Sequence, residues 1–558
     1  MGEEMLKSRE DLLKETMMFM SAPDIINVRK QCARLCLNMG SREKEIEAIY
    51  HLSETLAITL RREALRQLLD KPNQPVNTKP SGDREKEALR CLSLEYGSAE
   101  LLLQRLKEMP SEWTVVQLTR ELDPIEDLVP RPATKAASLG RFHLVRLPCG
   151  SSTTDVPVCL ECSWPEEYKS DPITVFHEVR TKWANSKSGA GRAIIQMRKE
   201  ASELAENYCM DLATASFGEW RIATLGKLVD RELEDEIRMR LDRILKKSNA
   251  ELSCRQRYLL QLIAEGSPHL SEEEIEIGIM QISNDRSLIE SVYYEVLNIK
   301  KNSQLSTCER QPVILILEDH LDGIPWESSS FMKNHPYCRM PSVHFIHYGF
   351  NLHKHHIRNG LVEVEENGVC FYVVNPDNDL NADALTTFFK NRFPSWVGVV
   401  NHPPTSEQIL DALQKYRIFT YCGHGNGSQY LQHNSILKLN IASSLQFLFG
   451  CSSGALNDLG GEVEMTGHVL NYIAAGSGCA IGMLWSVTNK DADAMTMELV
   501  SRLLSTPSKN PKANQPNREP ELLRALKFVR ESVSSFSNGA ALIARGLPLV
   551  VKQKKLES

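Results

Sequence analysis

The chain is 558 residues long, 42% hydrophobic and 25% charged, which excludes a disordered or low-complexity protein and leaves room for roughly three or four packed units of about 150 residues. Sixty-five basic and 72 acidic side chains leave a formal net charge of -7, so there is no broad positive field and nucleic acid is not expected as a direct ligand. Fourteen cysteines at scattered spacings behind a charged N-terminal stretch read as reduced intracellular thiols; the glycine-containing run Ile473 to Trp485 is well short of the ~20 residues a bilayer demands, and Leu6 stands where an acylation signal wants Ser or Thr, so no membrane attachment is expected.

From Ser8 to Asp70 apolar residues recur at helical spacing, among them Leu12, Leu13, Met17, Ile46, Ile49 and Leu52, with almost no Gly or Pro between them. This predicts an N-terminal helical region over residues 1–70. Lys71 to Arg84 holds three prolines and little to bury, so residues 71–86 read as an exposed linker. Residues 87–165 are expected to form one helix, Glu87 to Lys107, followed by strand-like runs at Trp113 to Thr119, Phe142 to Pro148 and Val156 to Trp164. Residues 166–306, long-period and dense in Arg and Glu at i,i+4 spacing, read as a charged helical insert.

After Thr307 short apolar strands alternate with helices: Pro312 to Glu318, Val369 to Pro376, Val397 to Val400, Arg417 to Cys422, Leu445 to Cys451 and Cys479 to Val487. Near-continuous apolar strands are what a parallel sheet buried on both faces requires, with Ser406 to Lys415 and Gly467 to Ala475 as crossover helices. Lys509 to Pro520 reads as an exposed loop, Glu521 to Ser532 as a last helix and Gly546 to Val551 as one closing strand. The fold class is therefore α/β, a layered domain on a mainly parallel sheet.

In such sheets ligands lie beyond the carboxyl ends of the strands. One strand runs into Cys422-Gly-His424-Gly-Asn-Gly427 and the next into Gly450-Cys451-Ser-Ser-Gly454, which places His424 and Cys451 at one edge, 27 residues apart with room for one crossover. A thiolate is a strong nucleophile and an imidazole can take its proton. The Gly425 and Cys451 amides can face a developing oxyanion. Either motif alone reads as a tight turn or a packed thiol; together at adjacent strand ends they point to a Cys/His dyad for acyl transfer. A third strand end, Leu484 to Asp493, carries Asp491 and Asp493, which suit recognition of a basic substrate residue and also the first turn of a helix capped by Thr488 or Asn489, two compatible roles.

These motifs, Tyr421 to Gly427, Leu448 to Gly454, Leu484 to Asp493 and Gly546-Leu-Pro-Leu-Val550, stand in the order and spacing of separase, the caspase-like cysteine protease family of anaphase, and the chain resembles that family over roughly Pro312 to Val551. Leu321 to Ser328 and Phe371 to Pro376 are similar to segments of the family's pseudo-protease half. The resemblance implies a caspase-like fold with a pseudo-protease half (307–404) and an active half (405–558), a substrate-binding role for 87–165, and cleavage after arginine in Glu-x-x-Arg motifs of the cohesin kleisin subunit to trigger sister chromatid separation. It implies His424 and Cys451 as the dyad, Gly425 and Cys451 as the oxyanion hole, and Asp493, Asp491 and Trp485 as substrate-binding residues, Asp493 holding the arginine. It further implies a securin-like inhibitor, a cyclin-dependent kinase complex as a second regulator, no cofactor, and a location in cytoplasm and nucleus and on spindle, centrosome and chromosomes in division.

The sequence departs from the family at Asn489 for the first aspartate of its Val-Thr-Asp-x-Asp-x-Asp run, Ser486 for the Asp after Trp, and Arg545 for the Tyr before Gly-Leu-Pro. Only Met1 to Asp70 stands where most separases carry a long helical solenoid, so either a separate subunit supplies it or the chain is a fragment. A catalytically silent scaffold that holds a securin-like segment, and a bacterial-type caspase-like protease with an unrelated substrate, remain alternatives. Cys159-Leu-Glu-Cys162 has metal-ligand spacing but no second pair, and no metal is expected. His353, His355 and His356 read as a solvated loop; Glu87 to Arg90 and Glu521 to Arg524 fit the cleavage pattern and are candidate self-cleavage sites as well as ordinary i,i+3 pairs.

Overall fold

The alternation of apolar runs and turn residues produces fourteen strands among the described residues of the computed structural model, which describes residues 2–69, 82–95, 97–122, 139–168, 170–186, 191–366, 369–431, 433–441, 444–459, 463–504 and 518–553. They are β1 (Thr114–Arg120), β2 (Arg141–Pro148), β3 (Val158–Ser163), β4 (Val313–Leu317), β5 (Tyr337–Arg339), β6 (Ile357–Arg358), β7 (Leu361–Glu366), β8 (Phe371–Val374), β9 (Val397–Val400), β10 (Ile418–Cys422), β11 (Leu445–Leu448), β12 (Cys479–Met483), β13 (Leu542–Gly546) and β14 (Leu549–Gln553). Eleven form one sheet in the order β3-β2-β1-β4-β5-β13-β12-β11-β10-β8-β9, and β14-β7-β6 form a second. The large sheet is parallel except at β1·β2, β2·β3 and β12·β13, so the expected α/β, mainly parallel sheet is present. The antiparallel contact at β13 reverses direction: β8, β10, β11 and β12 run together and end at one edge, whereas β1, β4 and β5 run the other way.

The β-rich stretch of residues 114–163 belongs to this same sheet, joined through β1 to β4. β8 and β9 lie beyond β10, at the edge of the large sheet opposite β3. The N-terminal helices are tied to the sheet domain: Lys30 pairs with Glu318 at 2.8 Å, Glu54 with His344 at 2.9 Å, and the Glu464 carboxylate caps the helix Ile58–Leu69 by accepting from the Ile58 and Thr59 amides. The insert is helical as expected, from Pro172–Asn185 to Ser303–Thr307. No described helix is long and apolar enough to cross a membrane.

Several expectations are corrected. The single helix Glu87 to Lys107 is two, Asp83–Leu92 and Ala99–Glu108, because Ser98 starts the second by capping the Leu101 amide. The closing strand is split: Gly546 adopts φ +135°, Pro548 follows, and the chain leaves the large sheet after β13 to add β14 to the small one. His353 is buried, its Nε2 3.0 Å from the Gly476 carbonyl oxygen, not solvated. Most of the linker and of the loop Lys509 to Pro520 lies outside the described residues.

Candidate active site

Parallel register delivers the site residues. Tyr421 lies beside Leu448 and Cys422 beside Val374, and the pairing continues past the strands through Phe449 N–H to Tyr421 O (2.8 Å) and Asn375 N–H to Cys422 O (2.8 Å). The loops after β8, β10 and β11 therefore emerge side by side. At the crossing of the latter two, Gly450 packs on the backbone of Gly423 and Gly425: a β-carbon at Gly450 would lie 1.8 Å from the Gly425 carbonyl oxygen and 2.8 Å from that of Gly423. No side chain fits there, which explains the glycine before Cys451. Gly425 itself needs its freedom for conformation, at φ +62° with open space beside it.

The Cys451 turn is braced from below. Ser452 holds a left-handed φ of +57° and its amide donates to Trp485 O (3.1 Å); Ser453 Oγ donates to Leu448 O (2.5 Å) and accepts from Met483 N–H (3.1 Å). Arg545, buried, donates to Gly454 O through Nε (3.0 Å) and Nη2 (2.8 Å) and forks onto the Asp322 carboxylate at 2.9 and 2.5 Å. Burial pushes the Asp322 carboxyl upward, but Arg545, Arg339 and Arg180 outweigh it and hold the group below its ordinary range. Arg545 thus ties the Cys451 loop to the far half of the sheet.

Cys451 is partly buried and its Sγ–H points at Val487 O, 3.7 Å away. His424 is about half exposed, and its Nε2 lies 3.1 and 3.0 Å from the two carboxylate oxygens of Asp379. Its carbonyl accepts from Tyr421 OH (2.6 Å) and from Gln429 Nε2 (3.2 Å). Cys451 and His424 thus stand on adjoining loops, with no hydrogen bond between thiol and imidazole among the described residues. The Gly425 and Cys451 amides, the expected oxyanion donors, have no hydrogen-bond partner among the described residues.

Sequence reasoning missed Asp379. The signal was present in Asn375-Pro-Asp-Asn-Asp379 at the end of an apolar strand, but chain order gave no reason to seat β8 next to β10.

Asp493 lies in the helix Asn489–Leu503, half-buried, with Asn489 Nδ2 3.4 Å from Oδ2 and no cation paired to it among the described residues. Burial pushes its carboxyl up to about 6. Asp491 serves the helix start, as the sequence allowed: Thr488 Oγ1 donates to its Oδ2 at 2.7 Å, Asn538 Nδ2 donates to the same oxygen, and its amide donates to Thr488 Oγ1. Trp485, expected at the substrate, lies in the core. It is 1% exposed, stacks on Phe176 with ring centroids 6.4 Å apart, and donates Nε1–H to Ser537 O at 3.0 Å. The candidate self-cleavage arginines sit inside helices, Arg90 paired to Glu87 at 3.0 Å and Arg524 to Glu521 at 2.7 Å, where a protease finds no extended backbone.

The family model described as Separin, protease domain, matches residues 198–492, more than half of the chain and including His424 and Cys451. The chain is 31% identical over 230 residues to the separin of Emericella nidulans, covering 39% of this chain and 11% of that protein, and 29% identical over 375 residues to the separin of Mus musculus, covering 64% and 16%. It spans less than a fifth of the length of these curated relatives. Its fold is similar to that in a crystal structure of the Saccharomyces cerevisiae separase-securin complex, with a TM-score of 0.72 and 17% identity over 98% of this chain and 37% of that one.

Proposed function

The chain belongs to the separin family, and we propose that it is an active cysteine endopeptidase that cleaves after arginine in Glu-x-x-Arg segments. The observation that carries this reading is the Gly450–Gly425 contact, which seats a cysteine and a histidine on adjoining loops beside two amides with no hydrogen-bond partner among the described residues. In the reaction His424 takes the Cys451 thiol proton and Sγ attacks the scissile carbonyl carbon. The new S–C bond sends the carbonyl electrons onto oxygen, where the Gly425 and Cys451 amides receive them. His424 returns the proton to the amine as the C–N bond breaks, and water then hydrolyses the thioester. Asp493 receives the substrate guanidinium, which restores the favourable ionised form that burial opposes.

The proposed substrate is the kleisin subunit of cohesin, cut at anaphase. A securin-like segment is the proposed pseudosubstrate inhibitor, in keeping with the partner named for the yeast neighbour. A separate helical solenoid subunit, a cyclin-dependent kinase complex, and residence in cytoplasm and nucleus, including the spindle, centrosome and chromosomes of dividing cells, complete the proposal.

One observation favours the second reading, a silent scaffold: the thiol proton is held by Val487 and the imidazole by Asp379. Such hydrogen bonds commonly tighten onto the reacting atoms only when substrate is bound. Turnover of an acidic Glu-x-x-Arg peptide decides between them. Activity in the wild type that is lost in Cys451→Ser and His424→Ala supports the protease; binding of a securin-like peptide with no turnover supports the scaffold.

A further inference from the structure

We propose that Asp379 positions His424 by holding Nε2, which leaves Nδ1 as the nitrogen that exchanges the proton with Cys451. The proposal rests on the reading of Cys451 and His424 as nucleophile and base. A carboxylate only accepts, so the contacts at 3.1 and 3.0 Å require a hydrogen on Nε2. In neutral imidazole one nitrogen donates and the other carries the lone pair, so that lone pair falls on Nδ1.

Both ends of the contact are held. Asn375, at φ +48°, folds the loop after β8 around its own side chain: Oδ1 accepts from the Asp379 amide (3.1 Å) and the Leu380 amide (3.0 Å), and Nδ2 donates to Leu380 O (2.9 Å) and Asn401 Oδ1 (2.8 Å). On the other side the Tyr421 hydroxyl and Gln429 amide fix the His424 carbonyl. The His424 and Asp379 side chains are 51% and 56% exposed, so their pairing adds little to stability. What it sets is the direction of the ring. The cycle then balances: the thiol proton moves from Sγ to Nδ1, the imidazolium that forms stands against the carboxylate, Nδ1–H passes its proton to the leaving amine, and the Nε2–H tautomer is restored without any co-reactant but water.

The test is Asp379→Ala and Asp379→Asn in the full chain, with kcat and KM for a Glu-x-x-Arg peptide and, independently, the rate of Cys451 alkylation by iodoacetamide read by peptide mass spectrometry. Asp379→Ala is expected to lower kcat by about tenfold or more with KM within about twofold, and to slow alkylation of Cys451. Asp379→Asn, whose Oδ1 still accepts from Nε2–H, is expected to recover most of the loss. Added to His424→Ala, Asp379→Ala is expected to cost nothing further, because it acts through the ring. Unchanged kcat and alkylation in Asp379→Ala, while His424→Ala is inactive, overturn the positioning role alone; a rise in KM at constant kcat overturns it in favour of substrate contact. Wild-type turnover in His424→Ala overturns both this proposal and the reading it rests on.

Discussion

Gly450 approaches Gly425 so closely that a β-carbon on it would lie 1.8 Å from the Gly425 carbonyl oxygen. The Cys451 loop and the His424 loop therefore share a contact made only of backbone. Gly450→Ala is expected to force the loops apart, to destabilise by about 2–3 kcal/mol as overpacking does, and to reduce turnover by more than tenfold. Gly425→Ala, which meets open space but keeps φ +62°, is expected to cost only the left-handed strain of about 1 kcal/mol. Chemical denaturation and peptide turnover of the two variants check the order; equal effects would contradict it.

Asp493 gives a pH signature. Burial raises its carboxyl to about 6, so in the free site it is ionised above that pH and neutral below it. An arginine side chain pairs with the ionised form, so KM for an arginine peptide is expected to rise as the pH falls from 7 towards 5. Asp493→Asn should show a high, flat KM over the same range. The sign for stability is the opposite: a raised carboxyl favours the fold at low pH and loses that contribution as pH rises through about 6, so at pH 8 Asp493→Asn should melt at a higher temperature than wild type.

Arg545 and Asp322 form a buried fork that also holds the Gly454 carbonyl. Arg545→Ala or Arg545→Tyr strips the fork from Asp322 and the donors from the Gly454 carbonyl, leaving the buried carboxylate to Arg339 at 3.7 Å, and is expected to cost about 3 kcal/mol. Asp322 is held below the usual carboxylate range, so its contribution is present above the unfolded value near pH 4 and is lost as pH falls through the lower folded value. Urea unfolding at pH 7 and 3 should show wild type losing stability at acid pH, and the Arg545 variants losing less.

Trp485 separates core from binding surface. With 1% exposure and its indole N–H bonded to Ser537 O, Trp485→Ala is expected to destabilise by about 3–5 kcal/mol. KM for the peptide, measured on the folded fraction, should change by less than twofold; a large KM change at unchanged stability would return Trp485 to the substrate site.

Much of this was legible in the chain because buried parallel strands are continuous apolar runs: β10 and β11 and the glycine-rich turns after them mark His424 and Cys451 unaided. What was hidden depended on sheet order. Asp379 becomes a partner of His424 only because β8 pairs with β10, and Arg545, an arginine inside an apolar strand, finds Asp322 a separation of 223 residues away. Trp485 was read by motif position, and tertiary packing turned the indole into the core, whereas the helix-start role of Asp491 was legible from the Thr488 cap before it. β5, three residues long, offered too short a run to read.

The central claim, that Cys451 is a nucleophile served by His424, is tested most directly by incubating the full chain with an acyloxymethyl ketone on a Glu-x-x-Arg peptide and locating the adduct by mass spectrometry. The account predicts one adduct, on Cys451, absent from Cys451→Ser and strongly slowed in His424→Ala. A folded chain that forms no adduct at Cys451, or that labels equally fast without His424, would contradict it.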